Sequence, residues 1–306
     1  MALENKKFLL GAKDPEMDMI EDRIIKPLGL QYHYAEVDGM RVHPGNAYQA
    51  NNDLDGDLVY IECSLQKDGF KIDHHRPGDP GYGIGAEDFM NASSIGQLIR
   101  YLLQHDIGVA RIIEGVPLDS RTKGNKFFHG GEGRWIFPSM QHDIAFPEDF
   151  VYQAAADHCL AAGYAGKCPG IDKVGLRALQ AKNISKTTEV SIDEALDAIK
   201  NTENMFTPER QGMLGRSEHL VYDFTDLDLG VGYSLHYLAL KEAGTMMGRA
   251  YLVAHRFSAR APKTLMLNSA SEAEVNYFLD NLVPEMKLQG KFGSSSRGYA
   301  GGNIPD

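Results

Sequence analysis

Cysteine is scarce: Cys63, Cys159 and Cys168 are the only three in 306 residues. No two have the spacing of a metal finger, and an odd, sparse count excludes a disulfide framework and suits a reducing compartment. Long apolar runs are also missing. No stretch reaches the roughly 18 residues that cross a bilayer, so no membrane span is expected. The N-terminal MALENKKFLLGAK has no long apolar core before its first strand-like run, which reads as a mature, cytoplasmic start. Positive charge is in deficit, with 31 Lys and Arg against 42 Asp and Glu and a net charge of −11. Such a chain makes a poor partner for long nucleic acid or an anionic membrane. A small anionic substrate stays open, because a bound metal ion reverses the sign locally.

The chain has neither internal repeats nor low-complexity tracts, and its length suggests about two domains at roughly 150 residues each. In the first half, strand-like and helix-like segments alternate. Lys7–Lys13 reads as a short buried strand, and Asp14-Pro15 opens a helix to about Leu28, with Pro15 in the first turn. Asp57–Glu62 and Phe70–Asp73 read as strands, Ser93–Gln104 as a serine-capped helix, and Val109–Ile113 as a further strand. This alternation predicts an α/β fold with a doubly wound, mostly parallel sheet. Residues 118–147 break the pattern with Gly, Lys, Arg and His, as a functional loop or lid does. A helix from Phe150 follows, then a helical connector from Ile184 to Arg216 with caps at Ser191 and Thr207. From His219 a second, smaller α/β pattern runs to a glycine-rich tail. The expected division is a metal-binding catalytic domain (1–185), a connector (186–216) and a substrate-binding domain (217–306), with a cleft between the two domains.

Chemistry-bearing residues cluster at strand ends, where parallel sheets place their ligand crevice. The clusters are the run Gly11–Asp18, then Glu62 after DLVYIE, then Asp73-His74-His75 after a strand, and finally Asp157-His158 in a helix. Hard oxygen ligands mixed with imidazole suit manganese or a similar divalent ion, or a pair of them. Each cluster alone has a plainer reading, as a helix cap, a turn, an exposed pair or a surface residue. Their order, each after the right element, argues for a single site.

These residues resemble the DHH phosphoesterases. Ile72-Asp73-His74-His75 stands where that family has its signature triplet. Asn91-Ala92-Ser93-Ser94-Ile95-Gly96-Gln97-Leu98-Ile99 looks like its "ASS-x-G-x-L-I" helix start. GAKDPEMDMI parallels "G-H-x-N-P-D-x-D-x-I", and the tail from Gly293 to Gly302 resembles "G-G-G-H-x-x-A-A-G-G" of the associated C-terminal domain. The resemblance implies metal ligation by Glu16, Asp18, Glu62, His74 and Asp157. It implies that His75 faces the substrate phosphate and that Asp73 orients the histidine pair. Read from the residues themselves, the substrate-binding candidates are Arg76, as a phosphate-neutralising charge, and Arg297 with Gly301 and Gly302, in a glycine-rich tail whose backbone can approach an anion closely. The implied cofactor is Mn2+ (or Mg2+ or Co2+), as one or two ions.

The sequence departs from the family at Ala12, where a histidine stands, at Glu16 and Glu62, where aspartates stand, and at Ser296, where the tail has histidine. His129, His142 and His158 are candidates to replace the lost imidazole. The implied activity is hydrolysis of a small nucleotide, short oligonucleotide or cyclic dinucleotide by attack of metal-bound hydroxide. The alternatives are a pyrophosphatase-like phosphoanhydride hydrolase and a degenerate nucleotide-binding protein. A homodimer is compatible with the resemblance. Outside these clusters, Lys123, Lys126 and Arg134 are phosphate-neutralising candidates, and Phe128 and Trp135 are stacking candidates. The run Asp53-Leu54-Asp55-Gly56-Asp57 looks like the start of a calcium loop but reads more simply as a turn before a strand.

Overall fold

The structure is a computed structural model that describes residues 3–105, 148–213, 220–227, 229–230, 234–247, 250–256, 262–294 and 298–305. The expected strand at 109–113, the 118–147 loop with its His, Lys, Arg and aromatic candidates, and Ser296 and Arg297 lie outside these residues. The chain is a two-unit α/β protein. One unit comprises residues 1–158 and 168–171, and the other comprises 159–167 and 172–306.

In the first unit, β1 (Lys6–Leu10) is followed by α1 (Pro15–Ile20). Asp14 caps α1 by accepting the Met17 N–H at 2.7 Å, with Pro15 at a first-turn position where its missing N–H costs nothing. A π-helical turn, Glu21–Ile25, continues this helix. Then come β2 (Tyr32–Tyr34), the small hairpin β3 (Glu36–Val37) and β4 (Met40–Arg41), β5 (Asp57–Ile61) and β6 (Phe70–Ile72). The main sheet has order β2-β1-β5-β6, and every pairing in it is parallel. Phe8, Leu9 and Leu10 are fully buried, as strands covered on both faces require.

Register positions the site. Leu10 pairs with Ile61, and Ile61 pairs with Ile72. The residues that next leave the sheet, Gly11, Glu62 and Asp73, therefore emerge together at its carboxyl edge. Two helices follow β6: the short α2 (Phe89–Ala92) and α3 (Ser94–Gln104), capped by the Ser93 hydroxyl. A Cβ on Gly96 would sit 1.6 Å from the Met90 carbonyl oxygen, so the motif glycine is what lets α2 fold back on α3. Helix α4 (Glu148–Tyr164) carries Asp157 and His158 immediately before a break in helical geometry at Cys159.

The second unit begins with α5 (Lys173–Thr188) and α6 (Ile192–Glu203), the latter closed by a Ser191–Glu194 capping box. Both helices pack on α7 (Leu235–Thr245) through Ile184, Ala195, Ile199 and Ala239, so the segment read as a connector shares a core with this unit. Leu235 and Leu238 join that core, as ordinary helix packing. The sheet contains β7 (Gln211–Met213), β8 (Leu220–Phe224), β9 (Tyr251–His255), β10 (Thr264–Asn268), β11 (Gln289–Ser294) and β12 (Tyr299–Asn303). Its order is β11-β12-β10-β9-β8-β7, parallel only between β8 and β9. Helices α8 (Glu272–Tyr277) and α9 (Val283–Glu285), joined by a π turn, cover it with Val275, Phe278 and Leu282. No helix among the described residues is long and apolar enough to cross a membrane.

Candidate metal centre

The acidic edge of the first sheet closes into a cluster. One ligand atom each from Glu16, Glu62, His74 and Asp157 lies within 4.8 Å of the others. The four residues come from α1, the end of β5, the end of β6 and α4. Glu62, His74 and His75 likewise bring one ligand atom each within 4.8 Å of the others. Glu16 is fully buried, Glu62 and His74 are 5% and 3% exposed, and the Asp157 side chain is 10% exposed.

Each glutamate is aimed by the start of α3. Ser94 Oγ donates to Glu62 Oε1 at 2.8 Å, and the Ile95 N–H donates to Glu16 Oε1 at 2.9 Å. Glu62 turns out of β5 with φ of +52°, a left-handed conformation that costs a non-glycine residue on the order of 1 kcal/mol and that clusters at functional sites. Burial, followed by the charges of Asp157 and Glu62, drives the Glu16 carboxyl well above its ordinary range, against the Ile95 bond. Burial, then Asp14, Asp157 and Asp73, does the same to Glu62. Asp14 thus adds negative charge to the cluster from its capping position.

The triplet residues divide their work. Asp73 is buried, and its Oδ1 accepts from His74 N at 2.7 Å, His75 N at 3.1 Å and His75 Nδ1 at 2.7 Å. Its Oδ2 accepts from Tyr48 Oη at 2.8 Å. Burial favours the neutral acid, but the His75 and Tyr48 contacts outweigh it and hold the carboxyl below the usual range. Gln97 of α3 grips the Asp73 peptide from both sides, accepting from its N–H at 3.1 Å and donating to its carbonyl at 3.0 Å. His74 points Nε2 into the cluster, 2.9 Å from Asp157 Oδ2 and 3.6 Å from Glu62 Oε1.

The donor set fits a divalent cation. Three carboxylates and one imidazole converge, and two of their buried atoms, Glu16 Oε2 and His74 Nε2, make no hydrogen bond. Like charges and lone pairs facing one another at such range need a proton or a cation between them.

Other sequence candidates fall differently. Asp18, on α1, is partly exposed and is not among the converging ligand atoms. Ala12 is buried at 6% exposure. His158 does not supply the missing imidazole to the cluster: its Nδ1 meets His74 Nδ1 at 2.9 Å and its Nε2 meets the Ile84 carbonyl at 2.9 Å. Arg76 is exposed, its guanidinium 3.3 Å from the centre of the Tyr48 ring. Gly301 and Gly302 are buried in β12, where a Cβ on Gly301 would lie 2.4 Å from the Phe292 ring, so close packing accounts for that glycine. Asp55 and Asp57 pair with Lys67 and Lys6 instead of converging on a calcium site. Cys63 and Cys168 are buried and Cys159 partly so, and none of the three is in a disulfide.

Tyr48, Gln97 and the role of His158 escaped the sequence reading. Tyr48 lies outside every motif and Gln97 at a variable position of the ASS-x-G-x-L-I run, so only the serine-rich start of α3 hints that this helix serves the site.

No protein-family model matches the chain, and no curated protein matches it. Among solved structures, the pGpG-specific phosphodiesterase PggH from Vibrio cholrae is similar over 98% of this chain and 93% of that one, at 12% sequence identity and a TM-score of 0.39.

Proposed function

We propose that the chain is a DHH-type, metal-dependent phosphoesterase that hydrolyses a small phosphorylated substrate of the nucleotide, short oligonucleotide or cyclic dinucleotide class. The observation that carries this reading is the convergence of Glu16, Glu62, His74 and Asp157 from four elements beside the His75–Asp73 pair. These four residues would hold Mn2+ or a similar ion. When bound, the ion neutralises phosphoryl oxygens and makes water acidic enough to ionise near neutral pH.

The protein's own residues supply orientation and proton handling. Glu16 and Glu62 are locked by the Ile95 N–H and the Ser94 hydroxyl, so their carboxylates need little reordering. His75, 21% exposed, is held by Asp73 through Nδ1. That bond engages Nδ1 and leaves Nε2 as the ring atom that would meet a substrate phosphate. Tyr48 and Gln97 fix Asp73 so that it orients His75 and remains ionised.

The test is release of phosphate or nucleotide from a panel of linear dinucleotides, cyclic dinucleotides and pyrophosphate with Mn2+, Mg2+ or Co2+. Turnover should vanish with chelator, and His75→Ala should lower kcat by at least about 100-fold. Metal-independent turnover, or full activity of His75→Ala, contradicts the proposal. Ala12 favours a second reading, in which the site binds metal and nucleotide without hydrolysis. Tight ligand binding with no turnover of any panel member would select it.

A further inference from the structure

We infer that His158 is a positioning residue whose task is to fix the tautomer of His74, so that His74 presents an Nε2 lone pair to the cation site. The inference rests on the metal reading of the cluster. Its geometry is a relay of three groups: the Ile84 carbonyl, the His158 ring and the His74 ring. A carbonyl only accepts, so His158 Nε2, 2.9 Å from Ile84 O, carries the hydrogen. A neutral imidazole that donates at Nε2 accepts at Nδ1. His158 Nδ1 is 2.9 Å from His74 Nδ1, which must then be the donor. The hydrogen of His74 is thereby committed to Nδ1, and Nε2 holds the lone pair.

The opposite polarity requires a doubly protonated His158 and puts the hydrogen of His74 on Nε2. That atom makes no hydrogen bond, although Asp157 Oδ2 is only 2.9 Å away, so a hydrogen there would be buried and misaligned. The ring planes are 26° apart and the centroids 5.1 Å apart, a separation that places the rings edge to edge and close to coplanar, as an in-plane N–H···N bond requires. Asp157 and His158 are adjacent on α4. A single turn of helix therefore delivers a carboxylate to the cluster and the group that orients its imidazole. Partners behind ligating histidines typically matter by 10–100-fold in metal affinity.

The test has two arms on the full chain. In the first, Mn2+ and Co2+ are titrated calorimetrically into wild type, His158→Ala and His158→Asn. Asparagine keeps an acceptor oxygen near the position of Nδ1. His158→Ala should weaken binding 10–100-fold, and His158→Asn should recover most of the loss. Equal affinity in wild type and His158→Ala overturns the inference, as does an asparagine variant no better than alanine. In the second arm, long-range 15N–1H correlations on metal-free wild type read the His74 tautomer directly. An Nδ1–H form is expected, and an Nε2–H form overturns the inference even if the alanine variant fails to fold. A wild type that binds neither ion refutes the metal reading itself, while the tautomer spectrum still decides the relay.

Discussion

Replacing Glu16 with glutamine separates what the cluster does for stability from what it does for metal. Glu16 is fully buried, and the ligand atoms of Glu62 and Asp157 lie within 4.8 Å of its own. At that distance two unit charges repel by about 3 kcal/mol for an effective dielectric constant of about 20. With two such neighbours and no cation, taking up a proton costs less than bearing the charge. Protonation sets the ceiling, at about 1.4 kcal/mol per pH unit above the ordinary value. From a reference of 4.5 that is about 5 kcal/mol at pH 8. The sign follows from linkage. The folded-state pKa is raised, so stability is complete below the unfolded value and is lost as pH rises toward the folded one. Glutamine keeps the oxygen that accepts from the Ile95 N–H and carries no charge.

Metal-free Glu16→Gln should therefore match wild type near pH 5 and exceed it by several kcal/mol at pH 8. Saturating Mn2+ should narrow that gap, because only the wild type gains; one hundred times Kd is worth about 2.7 kcal/mol. Urea unfolding in chelator at both pH values measures the difference. Hydrogen exchange of the Ser94–Gln104 helix assigns it to the first unit. A variant no more stable than wild type at pH 8, or a gap independent of pH, would refute the charge argument. Equal stabilisation of both proteins by Mn2+ would remove Glu16 from the ligand set.

Three further outcomes are expected. In the second unit, burial lifts the Glu242 carboxyl to about 7 against the Tyr164 hydroxyl bond, so stability present below about pH 4.5 is lost as pH rises through 7, by about 3 kcal/mol; urea midpoints of Glu242→Gln should lack this slope, and parallel pH profiles count against it. Gly96→Ala forces a methyl group against the Met90 carbonyl and should cost on the order of 1–3 kcal/mol in thermal unfolding while weakening metal binding through Ser94 and Ile95; an unchanged Tm contradicts the packing argument. Ala12→His adds an imidazole to the segment that leaves β1 beside Glu62, and metal titration should show tighter binding or an added equivalent; superimposable isotherms mean that the ring does not reach the cluster.

The alternation of apolar strands and capped helices was legible in the sequence because these signals are local. Asp14-Pro15 starts α1, Ser93 caps α3, and Ser191–Glu194 and Ser271–Glu274 form capping boxes, all within a few residues of chain. The order of the motifs likewise offers Glu16, Asp18, Glu62, His74 and Asp157 as ligand candidates. Which of the acidic residues converge was not legible, because side-chain direction depends on register and helix phase across distant segments. The Leu10–Ile61–Ile72 register brings Glu62 and Asp73 to one edge, and the start of α3 selects Glu16 by offering the Ile95 N–H. Asp18, two residues further along α1, stands outside the converging set, as the helical advance of about 100° per residue explains. Sequence offers His158, like His129 and His142, only as a spare ligand, because it records a ring but not the partners of its two nitrogens. Only the packed structure commits one nitrogen to Ile84 and the other to His74, since hydrogen-bond direction is decided by which acceptor lies within 3 Å.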